Sequence, residues 1–167
     1  MTRHLALILA PLLALPVLAQ SNSIQRHDSS APIDFSADRI EVREAASQAV
    51  ISGNVQVDQG SLDLTAAEVR VFYRSGSDDL TVDRLDATGG VVITTPAERA
   101  QAAAAYYDVP NSLVTLVGNV LLTRNGDIVR GERLVIDLND GQSVIDGAGS
   151  RTAGRVTGSF TPRSAQP

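Results

Sequence analysis

The chain has 167 residues, a formal net charge of −5 at pH 7 and no cysteine. This length suits one domain with a sizeable core, and the lack of cysteine excludes disulfides as a source of its stability. An acidic chain is poorly suited to nucleic acid or to an anionic membrane surface, so neither is expected as a partner. All 14 basic residues are arginine, a choice that suits phosphate recognition but is explained more simply by the codon bias of a GC-rich genome.

The N-terminus has the pattern of a secretory signal peptide. Residues 1–19 begin with a short basic region at Arg3, continue with the apolar run Leu5–Leu15 and end on small residues before Ala19. A membrane anchor is the alternative, but the run is short for a membrane span and two prolines interrupt it. We therefore expect cleavage after Ala19, export to the periplasm and a mature chain of residues 20–167 with a net charge of −6.

The mature chain divides into three parts by composition. Residues 20–30 are polar and lack periodicity, which predicts a mobile leader. Residues 31–160 carry the regular apolar pattern and are predicted to form the single domain. Residues 161–167 are a polar tail.

Short strands open the domain. Apolar residues alternate at Ile33 and Phe35 and again at Ile40 and Val42, which predicts two strands. A turn over residues 44–48 leads to a strand over 49–57, and residues 58–60 are predicted to turn the chain back. Alternation then resumes over residues 62–73.

The middle of the domain is harder to interpret. Residues 75–79 are rich in Ser, Gly and Asp and predict an inserted turn, after which residues 80–93 resume the strand pattern. Residues 97–107 are rich in alanine and fit either a short helix or a strand. We favour the strand, because the repeat described below requires one at residues 103–107.

The last third of the chain returns to clear alternation. Residues 112–123 form a strand with a glycine at its centre, and Asn125–Gly126 predicts a type I′ hairpin turn. Residues 134–138 predict another strand, and the pattern decays into a final uncharged strand over residues 156–160.

Two motifs recur in step along the whole domain. Glycines followed by apolar residues lie at Gly53, Gly89, Gly118 and Gly147. Between them recurs a motif of a small or acidic residue followed by alternating apolar positions, and its first apolar residue lies 16 residues after each of the first three glycines. The spacing predicts an all-β fold of about four repeats of roughly 29 residues, built as stacked antiparallel strand pairs. A solenoid, a sandwich and a jelly roll all suit this pattern.

The residues argue against catalysis. The mature chain has one histidine, His27, in the predicted leader, so neither a nucleophile–histidine pair nor a histidine metal site is expected. Five of the 19 acidic residues lie beside turn glycines or serines, where they serve turn chemistry: Asp58, Asp78, Asp79, Asp127 and Asp140. A hydrolase that uses a carboxylate pair on a β-solenoid is the least favoured interpretation.

The remaining candidate is the apolar face itself. A closed core would make the chain a structural or adhesive repeat protein. Two walls held apart would instead leave a slot for acyl chains, since each buried methylene contributes roughly 0.8 kcal/mol and needs no polar partner. The candidate lipid-binding positions are Ile40, Val42, Val55, Val57, Leu64, Val69, Val71, Val91, Ile93, Val120, Leu122, Leu134 and Ile136.

The ends of the domain are candidates for assembly. An unclosed sheet leaves its first and last strands with unpaired backbone groups, and these strands lack the lysine or internal proline that usually protects an edge. The candidate edge residues are Ile33, Phe35, Val156 and Phe160.

Four segments carry a resemblance to a known family: residues 32–38, 51–60, 66–71 and 114–120. In these segments the sequence resembles the OstA-like family of lipopolysaccharide-transport bridge proteins, whose members include LptA. The resemblance implies a twisted β-jelly roll open at both ends, an interior that holds the acyl chains of lipid A, and no enzyme activity, cofactor or metal. It implies head-to-tail self-association, with LptC as partner at the inner membrane and LptD and LptE at the outer membrane. The chain departs from the family pattern at residues 74–83 and 103–107.

Overall fold

The computed structural model describes residue 28 and residues 30–75, 80–147 and 154–161. The predicted signal peptide, most of the predicted leader, residues 76–79 of the predicted inserted turn and most of the predicted polar tail lie outside these ranges. The described residues form ten strands and one 3₁₀ turn, Glu44–Ala46. The strands are β1 Ile33–Ser36, β2 Arg39–Arg43, β3 Gln48–Gln59, β4 Leu62–Ser75, β5 Leu80–Thr94, β6 Glu98–Asp108, β7 Leu113–Arg124, β8 Asp127–Asp137, β9 Ser143–Asp146 and β10 Thr157–Ser159.

All ten strands belong to one antiparallel sheet in the order β1-β3-β4-β5-β6-β7-β8-β10. Both ends of this sheet are split. Strand β2 pairs with the first half of β3 and β1 with its second half, while β9 and β10 share β8 in the same way. The first and last strands do not pair with each other, so the sheet is not closed and the predicted open all-β fold is confirmed.

The repeated glycines form a line of β-bulges across the sheet. Gly53, Gly89 and Gly118 have φ angles of +80°, +85° and +82°, and the residue after each also has positive φ. The strand register shifts at all three positions, and it shifts on both sides of β5 and β7. A bulge bends a strand and increases its twist, so a row of bulges bends the whole sheet along one line.

This bend divides the sheet into two layers. We call the half that contains β2 and β9 the first layer and the half that contains β1 and β10 the second layer. Strands β3 to β8 run through both layers. Side chains on one face are buried on both sides of the bulges and form a single core, which includes Val69, Leu116 and Leu134, each 0% exposed. The sheet is therefore folded over its own apolar face.

Most predicted elements are confirmed, including the strand favoured for the alanine-rich segment, and two strands differ in extent. The alanine-rich segment is strand β6, whose inward positions Ala100, Ala102 and Ala105 are buried. Strand β3 continues to Gln59, so the turn predicted at residues 58–60 begins later than expected. The final strand is only Thr157–Ser159, which leaves the flanking apolar residues outside it.

The fourth glycine of the repeat, Gly147, follows β9 and, unlike the other three, does not have positive φ. The insertion at residues 74–83 lengthens the β4–β5 hairpin, because Ser75 still pairs with Leu80. In the parts of the chain that the structure describes, no helix is long and apolar enough to cross a membrane.

Candidate functional site: an apolar interior with two cavities

The first cavity lies between the layers at the N-terminal end of the sheet and has a volume of about 320 Å³. We call it the N-terminal cavity. It opens to solvent, since Phe35, Ile40, Val42 and Leu80 in its wall are 50–62% exposed. No lining side chain among the described residues carries a charge, which suits an apolar occupant. The lining residues are Ile33, Phe35, Ile40, Val42, Ala49, Ile51, Val57, Val71, Tyr73, Leu80, Val82 and Leu85.

The lengthened β4–β5 hairpin forms one wall of this cavity. Tyr73 pairs with Val82, and both side chains line the cavity together with Leu80. On the hairpin, Arg74 forms an ion pair with Asp83, with an N–O distance of 2.6 Å. The hydrogen bonds between them lower the pKa of Asp83 and raise that of Arg74. The insertion that interrupts the repeat therefore builds part of the candidate site.

The second cavity lies farther along the sheet and has a volume of about 610 Å³. We call it the central cavity. Its inner walls are apolar and come from both layers, whereas its rim is polar. At the rim the Arg124 guanidinium contacts the Glu98 carboxylate at 2.5 Å, and the Ser143 hydroxyl reaches Glu98 from the other layer at 3.5 Å. The lining residues are Ser61, Leu62, Ile93, Thr95, Pro96, Ala97, Glu98, Val114, Arg124, Ile136, Asp137, Leu138 and Gly141.

A buried hydrogen bond joins the two layers between these cavities. The Tyr107 hydroxyl donates to Gln59 Oε1 at 2.9 Å, and Gln59 Nε2 donates to the carbonyl oxygen of Ala31 at 3.1 Å. Gln59 is 2% exposed and Tyr107 is 5% exposed. Sequence reasoning missed Gln59, which it placed in a turn. The available signal was parity, since Gln59 shares the inward register of Val55 and Val57.

The candidate lipid-binding residues differ in exposure: one is partly buried, two are exposed and ten are buried. Val71 is partly buried and packs against the core, and Ile40 and Val42 are 50% and 57% exposed at the N-terminal cavity. All three point to the same face of the sheet as the buried residues, since Ile40 pairs with Ile51 and Val42 with Ala49. The other ten are buried: Val55, Val57, Leu64, Val69, Val91, Ile93, Val120, Leu122, Leu134 and Ile136.

The candidate assembly residues lie at the two ends of the sheet. Ile33 is partly buried against the core, whereas Phe35 is 50% exposed on the same strand. Val156 and Phe160 are 42% and 68% exposed and flank β10. Both ends of the described sheet therefore expose apolar side chains.

Two of the acidic residues that the structure describes lie opposite each other on the outer face of the sheet. Within the described ranges, no three His, Asp or Glu side chains come together as a metal site. Asp58 and Asp63 are directly opposite each other on β3 and β4, and their hydrogen bond, with a smaller contribution from desolvation, raises the pKa of Asp63. The adjacent residues along the two strands, Val57 and Leu64, face the core, so the two aspartates lie on the outer face beside a hairpin turn.

An unclosed antiparallel sheet folded over an apolar core defines the class of open β-jelly rolls. Comparison with known proteins identifies the family. Residues 34–142 match the family described as LptA/(LptD N-terminal domain) LPS transport protein, and the chain belongs to this family. The resemblance noted in the sequence is thereby confirmed.

Two known proteins are similar to this chain. One is the protein of Rhizobium meliloti (strain 1021) named Uncharacterized protein R00383, which is 28% identical over 152 residues, covering 85% of this chain and 82% of the relative. The other is the crystal structure of LptH, described as the LptA-homologous periplasmic component of the lipopolysaccharide transport device of Pseudomonas aeruginosa. It superposes with a TM-score of 0.71 at 21% identity and covers 81% of this chain and 99% of LptH, which supports the shared fold.

Proposed function

We propose that this protein is a non-enzymatic periplasmic carrier that binds the acyl chains of lipopolysaccharide between its two layers. Membership of the LPS-transport family supports the substrate class. The observation that carries the proposal is the uncharged N-terminal cavity, which opens to solvent and continues into the apolar face of the sheet. Burial of apolar chains there is favourable and needs no polar partner in the protein.

We further propose that the chain self-associates head to tail and bridges the inner and outer membranes. Under this proposal its N-terminal end contacts LptC and its C-terminal end contacts LptD and LptE. The unclosed sheet supports this idea, because its end strands can add to strands of another chain. Neighbouring interiors would then join, and lipid would not enter water between subunits.

Photo-crosslinking in cells tests the lipid site. A photoreactive residue at Val71 or Ile136 should trap lipopolysaccharide, because these side chains line the N-terminal and central cavities. The matched control is Arg70, the exposed neighbour of Val71 on the outer face. Equal trapping at Arg70 and Val71 would contradict the proposal. Val55 and Val120 are poorer sites for the probe, since both are 1% exposed and a larger side chain would overpack the core.

A structural repeat protein with a closed core is the second candidate. The complete burial of Val69, Leu116 and Leu134 favours it, because the centre of the interior is packed. Native mass spectrometry of the protein purified from the periplasm separates the two candidates. Co-purified lipopolysaccharide supports the carrier, whereas an empty protein that also fails to bind added lipopolysaccharide supports the closed core. The same spectra test the predicted N-terminus at Gln20.

A further inference from the structure

The hydrogen bond between Gln59 and Tyr107 occupies a particular place in the interior. In the second layer, the neighbours of Gln59 in register are Ile33 on β1 and Leu62 on β4. Ile33 lines the N-terminal cavity and Leu62 lines the central cavity. Gln59 therefore lies on the boundary between the two cavities.

Tyr107 also lies on the boundary between the two cavities, in the first layer. Its neighbours in register are Leu85 on β5 and Val114 on β7. Leu85 lines the N-terminal cavity and Val114 lines the central cavity. Because the two side chains meet at 2.9 Å, their hydrogen bond crosses the space between the layers at the boundary of the cavities.

We propose that Gln59 and Tyr107 form a polar bar that divides the apolar interior into two compartments. An acyl chain bound in the N-terminal cavity ends at this bar, and passage into the central cavity requires the hydrogen bond to open. The occupant is an apolar chain, because all twelve residues that line the N-terminal cavity are uncharged. This inference rests on the proposed function and adds a positioning role for two residues within it.

The physical basis is the cost of leaving buried polar groups unpaired. A chain that separates the two side chains breaks the hydrogen bond from the Tyr107 hydroxyl to Gln59 Oε1 in a buried environment and supplies no polar group to replace it. The second bond of Gln59, to the carbonyl oxygen of Ala31, holds its side chain in place beside β1. The bar therefore favours chains that stop on one side of it.

Affinity measured against chain length tests the bar. Binding of saturated fatty acids from octanoate to stearate is measured by calorimetry below their micelle concentrations. For the wild type, affinity should rise about fourfold per added methylene while the cavity fills and then reach a plateau. In the double variant Gln59→Leu/Tyr107→Phe, which replaces both polar partners with apolar groups of similar shape, the rise should continue to longer chains.

The matched control is Tyr106→Phe, which removes the hydroxyl of the adjacent, 41% exposed tyrosine and should keep the wild-type plateau. Thermal unfolding shows whether each variant is folded. If the double variant unfolds, Tyr107→Phe alone, which keeps the bond from Gln59 to Ala31, provides the same comparison.

A wild type without a plateau, or identical plateaus in the wild type and the folded variant, would overturn the bar while leaving the carrier function intact. A wild type that binds no fatty acid and no lipopolysaccharide would instead overturn the proposed function. The two failures are therefore distinguishable.

Discussion

The backbone N–H of Asp38 donates a hydrogen bond to the carbonyl oxygen of Gly53 at 2.9 Å, and the Asp38 side chain fills the space where a Cβ at position 53 would lie. The same contact recurs twice. A Cβ on Gly89 would lie 2.5 Å from the Cβ of Ala67, and one on Gly118 would lie 2.9 Å from that of Ala103. The two motifs that recur in the sequence are therefore two sides of one packing contact at each bulge.

Because of this contact, we expect alanine substitutions at two adjacent glycines to lower the free energy of unfolding by different amounts. Gly89→Ala should destabilise the fold, because it combines positive φ with a clash against Ala67. Gly90→Ala should cost less, about 1–3 kcal/mol, since it has a φ of +79° but nothing within 4 Å of the new Cβ. Gly90→Asn should be close to wild type, because asparagine stands at the matching positions 54 and 119. Urea unfolding of the three variants provides the measurement, and equal losses for both alanine variants would contradict the packing argument.

The core predicts a large effect at Leu134. This side chain is 0% exposed, so Leu134→Ala removes buried methyl groups and leaves a cavity. The free energy of unfolding should fall by about 2–5 kcal/mol. Leu121→Ala is the control, since Leu121 is only partly buried and pairs with Arg130 on the outer face. A loss at Leu121 as large as that at Leu134 would show that the two faces have been assigned wrongly.

The pairing of Asp58 with Asp63 predicts an unusual pH dependence. The hydrogen bond to Asp58 raises the folded-state pKa of Asp63 above its ordinary value of 3.8. Protonation of Asp63 lets it form this hydrogen bond and removes its repulsion of the facing carboxylate, so stability rises as the pH falls through the raised pKa of Asp63. Asp63→Asn should therefore stabilise the protein at pH 7 by about 0.2–1 kcal/mol, the range of one cross-strand pair. Chemical unfolding across the acidic range should show this gain shrinking as the pH approaches 3.8, and a constant gain would argue against the pair.

For Glu41 we expect stability to depend on pH in the opposite direction. Its carboxylate accepts hydrogen bonds from Arg43 and Arg39, and these bonds hold its pKa below the ordinary value of 4.5. The stabilisation is present above that value and is lost as the pH falls through the lowered pKa. Glu41→Gln should therefore reduce stability slightly at neutral pH and have no effect in strong acid. A loss that persists in strong acid would mean that the effect does not come from these ion pairs.

The exposed C-terminal edge predicts an effect on self-association. Val156→Pro removes the backbone N–H of the residue just before β10. The three residues of β10 that pair with β8 are unchanged. If strand addition joins the ends, the variant should associate more weakly and still bind lipopolysaccharide. Val156→Ala, which keeps the N–H, is the matched control. Sedimentation across a concentration series provides the measurement, and a wild type that stays monomeric and binds neither LptC nor LptD would contradict the bridge.

Local features of the sequence determined the strands, the repeat and the inward face. Alternation at Val55, Val57, Leu134 and Ile136 was sufficient because a strand exposes its two faces with a period of two residues. The Asn125–Gly126 turn followed equally from sequence, since both residues need positive φ and both have it. The spacing of the repeat also predicted correctly that β6 is a strand, although its alanines have a high helix propensity.

Only the tertiary structure decided how the two layers meet. Gln59 and Tyr107 are separated by 48 residues, and no local pattern predicts that their side chains share a hydrogen bond. The same holds for the exposure of Ile40 and Val42, because an edge strand can have the inward pattern and lack a neighbour to cover it. Periodicity specifies which face is apolar, whereas the packing of one layer against the other specifies where that face is filled, divided or left open.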